Sequence, residues 1–73
     1  MALEIVEVPV TGKMLSIEVG VGTKVEEGDI VCLLESMKME NPILAPVTGV
    51  VKEINVAAGQ AVKTGETIAV IEY

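Results

Sequence analysis

Histidine, tryptophan and phenylalanine are absent from the 73 residues, and cysteine and tyrosine occur once each. Without histidine, and with a lone thiol, no Ser/His or Cys/His couple can form and no cluster of soft ligands can hold a metal. Catalytic and metal-binding residues are therefore expected to be absent, and the chain is not expected to be an enzyme in its own right. One cysteine cannot make an internal disulfide, so Cys32, set in an apolar run, reads as core. The near absence of aromatic rings removes stacking platforms for bases. Five basic against eleven acidic residues, a net charge of −6, oppose contact with phosphate backbones. Nucleic acid is excluded on both grounds. No apolar run approaches the roughly 18 to 20 residues of a membrane helix, and no charged segment leads into an apolar one at the start. Direct membrane insertion is thus not expected, and a cytoplasmic location is.

What is present is aliphatic. Half the residues are hydrophobic, mostly Val, Ile and Leu, and glycines at 12, 20, 22, 28, 49, 59 and 65 interrupt every helical window. Branched side chains at this density favour strands. One small all-β domain over residues 1–73 is the expectation.

Self-comparison is more specific. A shift of 37 lays Pro9–Ser36 on Pro46–Tyr73, 28 pairs without a gap, ten of them identical. Two copies are too few for a solenoid, so two interlocked halves related by a pseudo-twofold axis are expected. Each half opens with Pro-Val-Thr-Gly and continues as an alternating strand: Leu15, Ile17 and Val19 in the first, Val50, Ile54 and Val56 in the second. Lys52 breaks the second alternation. A glycine turn, one buried valine (Val25 or Val62) and a charged turn follow. The apolar runs Ile30–Leu34 and Thr67–Ile71 then read as strands covered on both faces. With strands near 2–8 and 39–45 the count reaches eight. The expected fold is a flattened eight-stranded barrel-sandwich of two antiparallel sheets. The repeated glycines, Gly12/Gly49 among them, read as turn formers, and Glu26, Glu27 and Asp29 as a solvated turn.

The same shift maps Met1 onto Lys38. The segment around Lys38 therefore joins two strands whose counterparts are left open as the chain termini, and the axis places Lys38 and the termini at opposite ends. The chain must reverse within Glu35-Ser36-Met37-Lys38-Met39-Glu40, which contains no Gly, Pro, Asn or Asp. A two-residue hairpin normally takes Asn-Gly or Asp-Gly, so Met37-Lys38 at its tip implies backbone strain. From spacing alone, Met37 and Met39 can equally be core residues on one strand face, with Lys38 an ordinary solvated lysine.

Val-Pro-Val-Thr-Gly-Lys, Glu-Ser-Met-Lys-Met-Glu-Asn and Ala-Pro-Val-Thr-Gly-Val-Val-Lys-Glu-Ile together resemble the biotinyl domain of biotin carboxyl carrier proteins. The likeness runs over nearly the whole chain. Ser36 stands where that family most often has Ala. The direct run from Val19 through Gly20-Val21-Gly22 to Val25 is similar to the thumbless members. The resemblance implies covalent biotin on Lys38, flanked by the motif residues Glu35, Ser36, Met37 and Met39. It further implies a non-catalytic module that shuttles a carboxyl group between biotin carboxylase and a carboxyltransferase or decarboxylase subunit. A biotin protein ligase would load it, and it would be monomeric when isolated. Met37 and Met39 would be soft, adaptable contacts for these partners, while Glu35 is equally a ligase contact or a solvated strand end. Two alternatives stay open: a lipoyl carrier domain on the same scaffold, and an unmodified barrel-sandwich used as an adaptor.

Overall fold

The 37-residue offset is written into the hydrogen bonds. In a computed structural model describing residues 1–73, Gly22 N–H donates to the Val51 carbonyl as Gly59 N–H does to Met14, and Gly28 N–H donates to Ala45 as Gly65 N–H does to Val8. The side chains follow suit. The Asp29 carboxylate accepts from Glu26 N–H as Glu66 accepts from Lys63 N–H, and Thr48 Oγ1 accepts from Glu27 N–H as Thr11 Oγ1 does from Thr64 N–H.

There are eight strands and no helix: β1 (Leu3–Glu7), β2 (Gly12–Ile17), β3 (Lys24–Val25), β4 (Ile30–Ser36), β5 (Met39–Leu44), β6 (Gly49–Ile54), β7 (Ala61–Val62) and β8 (Thr67–Glu72). They form two antiparallel four-stranded sheets, ordered β1-β8-β6-β3 and β5-β4-β2-β7. Each sheet takes two strands from each repeat, so neither half has a sheet of its own. The expected barrel-sandwich with interlocked halves is what forms.

Between the sheets lie fifteen buried residues, all hydrophobic, among them Val8, Met14, Val31, Cys32, Leu34, Val51, Ile68, Ala69 and Ile71. With no buried polar group, nothing inside requires a ligand to satisfy it.

Two readings of the strands need correction, both because of β-bulges. Met14 pairs with Leu34 and Ser16 with Leu33, so Leu15 is an extra residue; Lys52 is its counterpart between Val51 and Glu53. An extra residue resets which side chains face the core. Met14 and Val51 are accordingly the fully buried residues of these strands, while Leu15, Ile17 and Val50 are only half-buried. The lysine that breaks the alternation occupies a bulge, where it costs the core nothing. The apolar runs were expected to be covered on both faces. Instead Val31 and Ile68 are bulged, which turns Val31-Cys32 and Ile68-Ala69 inward together. On the other face Leu33 and Val70 stay half-exposed, and Ile30 is 45% exposed.

Gly12 and Gly49 also differ from expectation. They are strand residues, not turn formers: a Cβ on Gly12 would land on the Glu35 carbonyl oxygen, and one on Gly49 on that of Glu72. The turns use the other repeated glycines, with φ of 93° and 95° at Gly22 and Gly28, and 87° and 93° at Gly59 and Gly65.

These contacts set the two ends of a body of 36 × 18 × 16 Å. At one end Ser36 pairs with Met39 across the β4–β5 turn. At the equivalent place Tyr73 and Ala2 exchange both backbone hydrogen bonds, at 2.9 and 2.8 Å. β8 starts beside Val8, next to the segment Ser36 touches, and runs away to Tyr73. The termini and Lys38 thus lie at opposite ends, as the symmetry requires.

Candidate functional site

The β4–β5 turn is as tight as an antiparallel pair permits. Ser36 and Met39 are the last paired residues, leaving Met37 and Lys38 to make the whole connection. Both take left-handed backbone, with φ of 53° and 65°. That matches the need for positive φ at both central residues of a two-residue turn suited to strand twist. A side chain in this region costs roughly 1–2 kcal/mol per residue, which Gly or Asn would largely avoid. These are the only non-glycine residues of the chain with positive φ. All the strain of this kind sits on the two residues at the tip.

Lys38 is exposed and makes no ion pair; the single salt bridge joins Lys52 to Glu72 at 3.6 Å. Met37 and Met39 are 90% and 66% exposed, which rules out the core reading of these residues. Large apolar side chains held in water beside a cation form a contact surface of low polarity. Glu35 and Glu40 lie directly opposite each other one step below the tip, with Lys13 opposite Glu35 on its other side. Glu35 is exposed, and Ser36 is half-buried with its Oγ donating to the Thr11 carbonyl at 3.0 Å.

The five sequence-predicted residues, contiguous in the chain, thus divide between the turn itself (Met37 and Lys38), the end of β4 (Glu35 and Ser36) and the start of β5 (Met39). The structure adds others that the sequence reading assigned no role. Asn41 is half-buried below the tip, and its Nδ2 donates to the Met39 carbonyl at 3.2 Å and, more weakly, to that of Leu34 at 3.5 Å. Thr11 and Thr64 hydroxyls meet at 3.3 Å beside Ser36. The repetition of Thr11 and Gly12 as Thr48 and Gly49 was the available signal that these positions matter.

Cys32 stands apart from the tip. It is fully buried, and burial, with a smaller contribution from Glu18, pushes its thiol up to about 11. The one surface depression lies at the other end, among Lys24–Glu26, Asp29 and Thr48–Val50, and touches none of the predicted residues.

Residues 4–71 match the family model described as biotin-requiring enzyme, Biotin_lipoyl. The chain belongs to this biotin/lipoyl family. Over 39 residues, 53% of this chain and 27% of the relative, it is 51% identical to glutaconyl-CoA decarboxylase subunit gamma of Acidaminococcus fermentans. Over 42 residues, 58% of the chain and 59% of the relative, it is 45% identical to the biotinylated protein TB7.3 of Mycobacterium tuberculosis. The chain thus spans less than two thirds of the length of these relatives. Among solved structures, 99% of it superposes on 6% of the Kluyveromyces lactis urea carboxylase, with a TM-score of 0.91 and 33% identity. A single-chain, multi-domain long-chain acyl-CoA carboxylase matches 93% of it at a TM-score of 0.87 and 25% identity.

Proposed function

We propose that this biotin/lipoyl family member is a carboxyl carrier, biotinylated on Lys38, with residues 1–73 acting as one monomeric domain in the cytoplasm. The observation that carries this is the tip itself: an unpaired lysine on strained backbone between two exposed methionines, on a scaffold with no polar interior. The decarboxylase gamma subunit and the biotinylated protein among the relatives favour biotin as the group and a carboxylase or decarboxylase as the parent enzyme.

The chain's residues have modest chemical tasks. Lys38 supplies the amine, deprotonated by the ligase, that attacks the acyl carbon of a biotinyl-adenylate held by a biotin protein ligase; the acyl–phosphate C–O bond breaks and AMP leaves. The new amide bond replaces a cation with a neutral group, changing the formal balance to 4 − 11 = −7. When attached, biotin supplies a ureido nitrogen able to carry carboxylate. Met37 and Met39 offer polarizable contacts to the ligase and then to the biotin carboxylase and carboxyltransferase or decarboxylase subunit, and the shape of a thioether adapts to more than one such surface. The scaffold keeps the lysine at high effective concentration near two active sites. It contributes no catalytic group of its own.

Incubation with biotin, ATP and a biotin protein ligase should add one biotin to the intact mass, and Lys38→Ala should abolish the adduct. Persistent labelling of that variant would remove the assignment. Lipoylation of Lys38 is the second reading the family leaves open. Labelling by a lipoate ligase, with none by the biotin ligase, would establish it instead.

A further inference from the structure

We infer that Asn41 and Ser36 are positioning residues that hold the acceptor turn in its left-handed form, one on each leg of the hairpin; this rests on Lys38 being the attachment site. Two residues of unfavourable φ do not persist in an exposed turn unless their surroundings hold them. The ladder below the tip supplies one restraint, and its last rung is Ser36 with Met39. Beyond it, each leg carries one side-chain clamp. On the β4 leg, Ser36 Oγ donates to the Thr11 carbonyl at 3.0 Å. Gly12, whose missing Cβ admits the Glu35 carbonyl, brings that segment close enough. Thr11 is itself anchored, since its hydroxyl accepts from Thr64 N–H at 3.2 Å. On the β5 leg, Asn41 Nδ2 donates to the carbonyl of Met39, the residue immediately after Lys38.

Comparison with the other end isolates these clamps from the scaffold. The repeat mates of Ser36 and Asn41 are Tyr73 and Glu4, and neither side chain makes a corresponding hydrogen bond there. The threonine caps, the glycine contacts and the ladder are common to both ends. The clamps occur only where the chain closes into the lysine turn. Their function is to present Lys38 in one geometry, so that a docking enzyme does not have to order it.

The test compares the 73-residue chain with Asn41→Asp, which keeps the shape and removes the donor, and with Ser36→Ala. Backbone order parameters at Met37 and Lys38 should fall from about 0.85 towards 0.6, with Val25 and Val62 unchanged. The KM for biotin ligase should rise about five-fold per clamp, as loss of one ordinary hydrogen bond implies, with kcat little changed. Unchanged order parameters at the tip in both folded variants would overturn the inference, as would a loss of Tm with no change in KM. Should the unmutated chain take no biotin at all, the attachment reading fails. The order parameters then decide the clamps alone. If Asn41→Asp does not fold, Ser36→Ala still discriminates.

Discussion

The two ends of this molecule share a backbone and differ in outcome. Ser36 faces Met39 as Tyr73 faces Ala2, Gly12 receives Glu35 as Gly49 receives Glu72, and a threonine hydroxyl caps the neighbouring turn in each case. One end closes through Met37 and Lys38; the other stays open. What is repeated is therefore scaffold, and what is unmatched includes the residues proposed for attachment. This separation works residue by residue: Lys38, the exposed methionines and the two clamps have no like residue at the other end, whereas the pairs Gly12/Gly49, Gly22/Gly59, Gly28/Gly65 and Val25/Val62 are identical.

The glycines offer the largest test of this division after loss of Lys38 itself. Gly12→Ala and Gly49→Ala should each destabilise the fold by about 3 kcal/mol, because both force backbone atoms apart. Gly49→Ala should cost more in urea unfolding, since its Cβ would also meet Ile71 Cγ2 at 2.9 Å, within the core. Gly12→Ala should cost more in ligase KM, since it pushes on the strand that leads to the tip. Equal effects on labelling would break the comparison.

A second test uses Cys32, whose repeat mate is Ala69. Both are fully buried, but only one can ionise. The folded thiol titrates near 11 against an ordinary 9.0, so the fold favours the protonated form. Its contribution to stability is complete below about pH 9 and is lost as pH rises through 11. Between those values the urea midpoint should fall more for the unmutated chain than for Cys32→Ala. Parallel pH profiles would show that burial does not hold the proton.

The smallest effect concerns the tip. Met37→Asn, a residue that tolerates left-handed backbone, should raise stability by about 0.5–1 kcal/mol while weakening ligase recognition. Destabilisation would mean the turn is not strained in solution.

Much of this was legible in the residues. The offset of 37, the punctuating glycines and the missing turn residues around Lys38 are local or repetitive signals, and they located the strands, the pairing of halves and the strained tip. The bulge at Leu15 is not readable, because a bulge is a mismatch between two strands; at Lys52 its one trace is the broken alternation, which does not by itself say that an extra residue is inserted. That is why Met14 and Val51 were passed over as core. Gly12 and Gly49 were misread for a similar reason: a close approach depends on what lies across the sheet. Asn41 stood within the quoted motif but gained a role only when its amide was seen against the Met39 carbonyl.

One consequence follows from the ladder between Ala2 and Tyr73. Any polypeptide continuing from either end must leave from the same point, at the pole farthest from Lys38. A flanking chain would then work as a hinge at the heel of a rigid boom, with the full length of the body added to the reach of the lysine and whatever it bears. Flexibility would reside in the tether, and the aim of the amine would depend on the stiffness of the barrel.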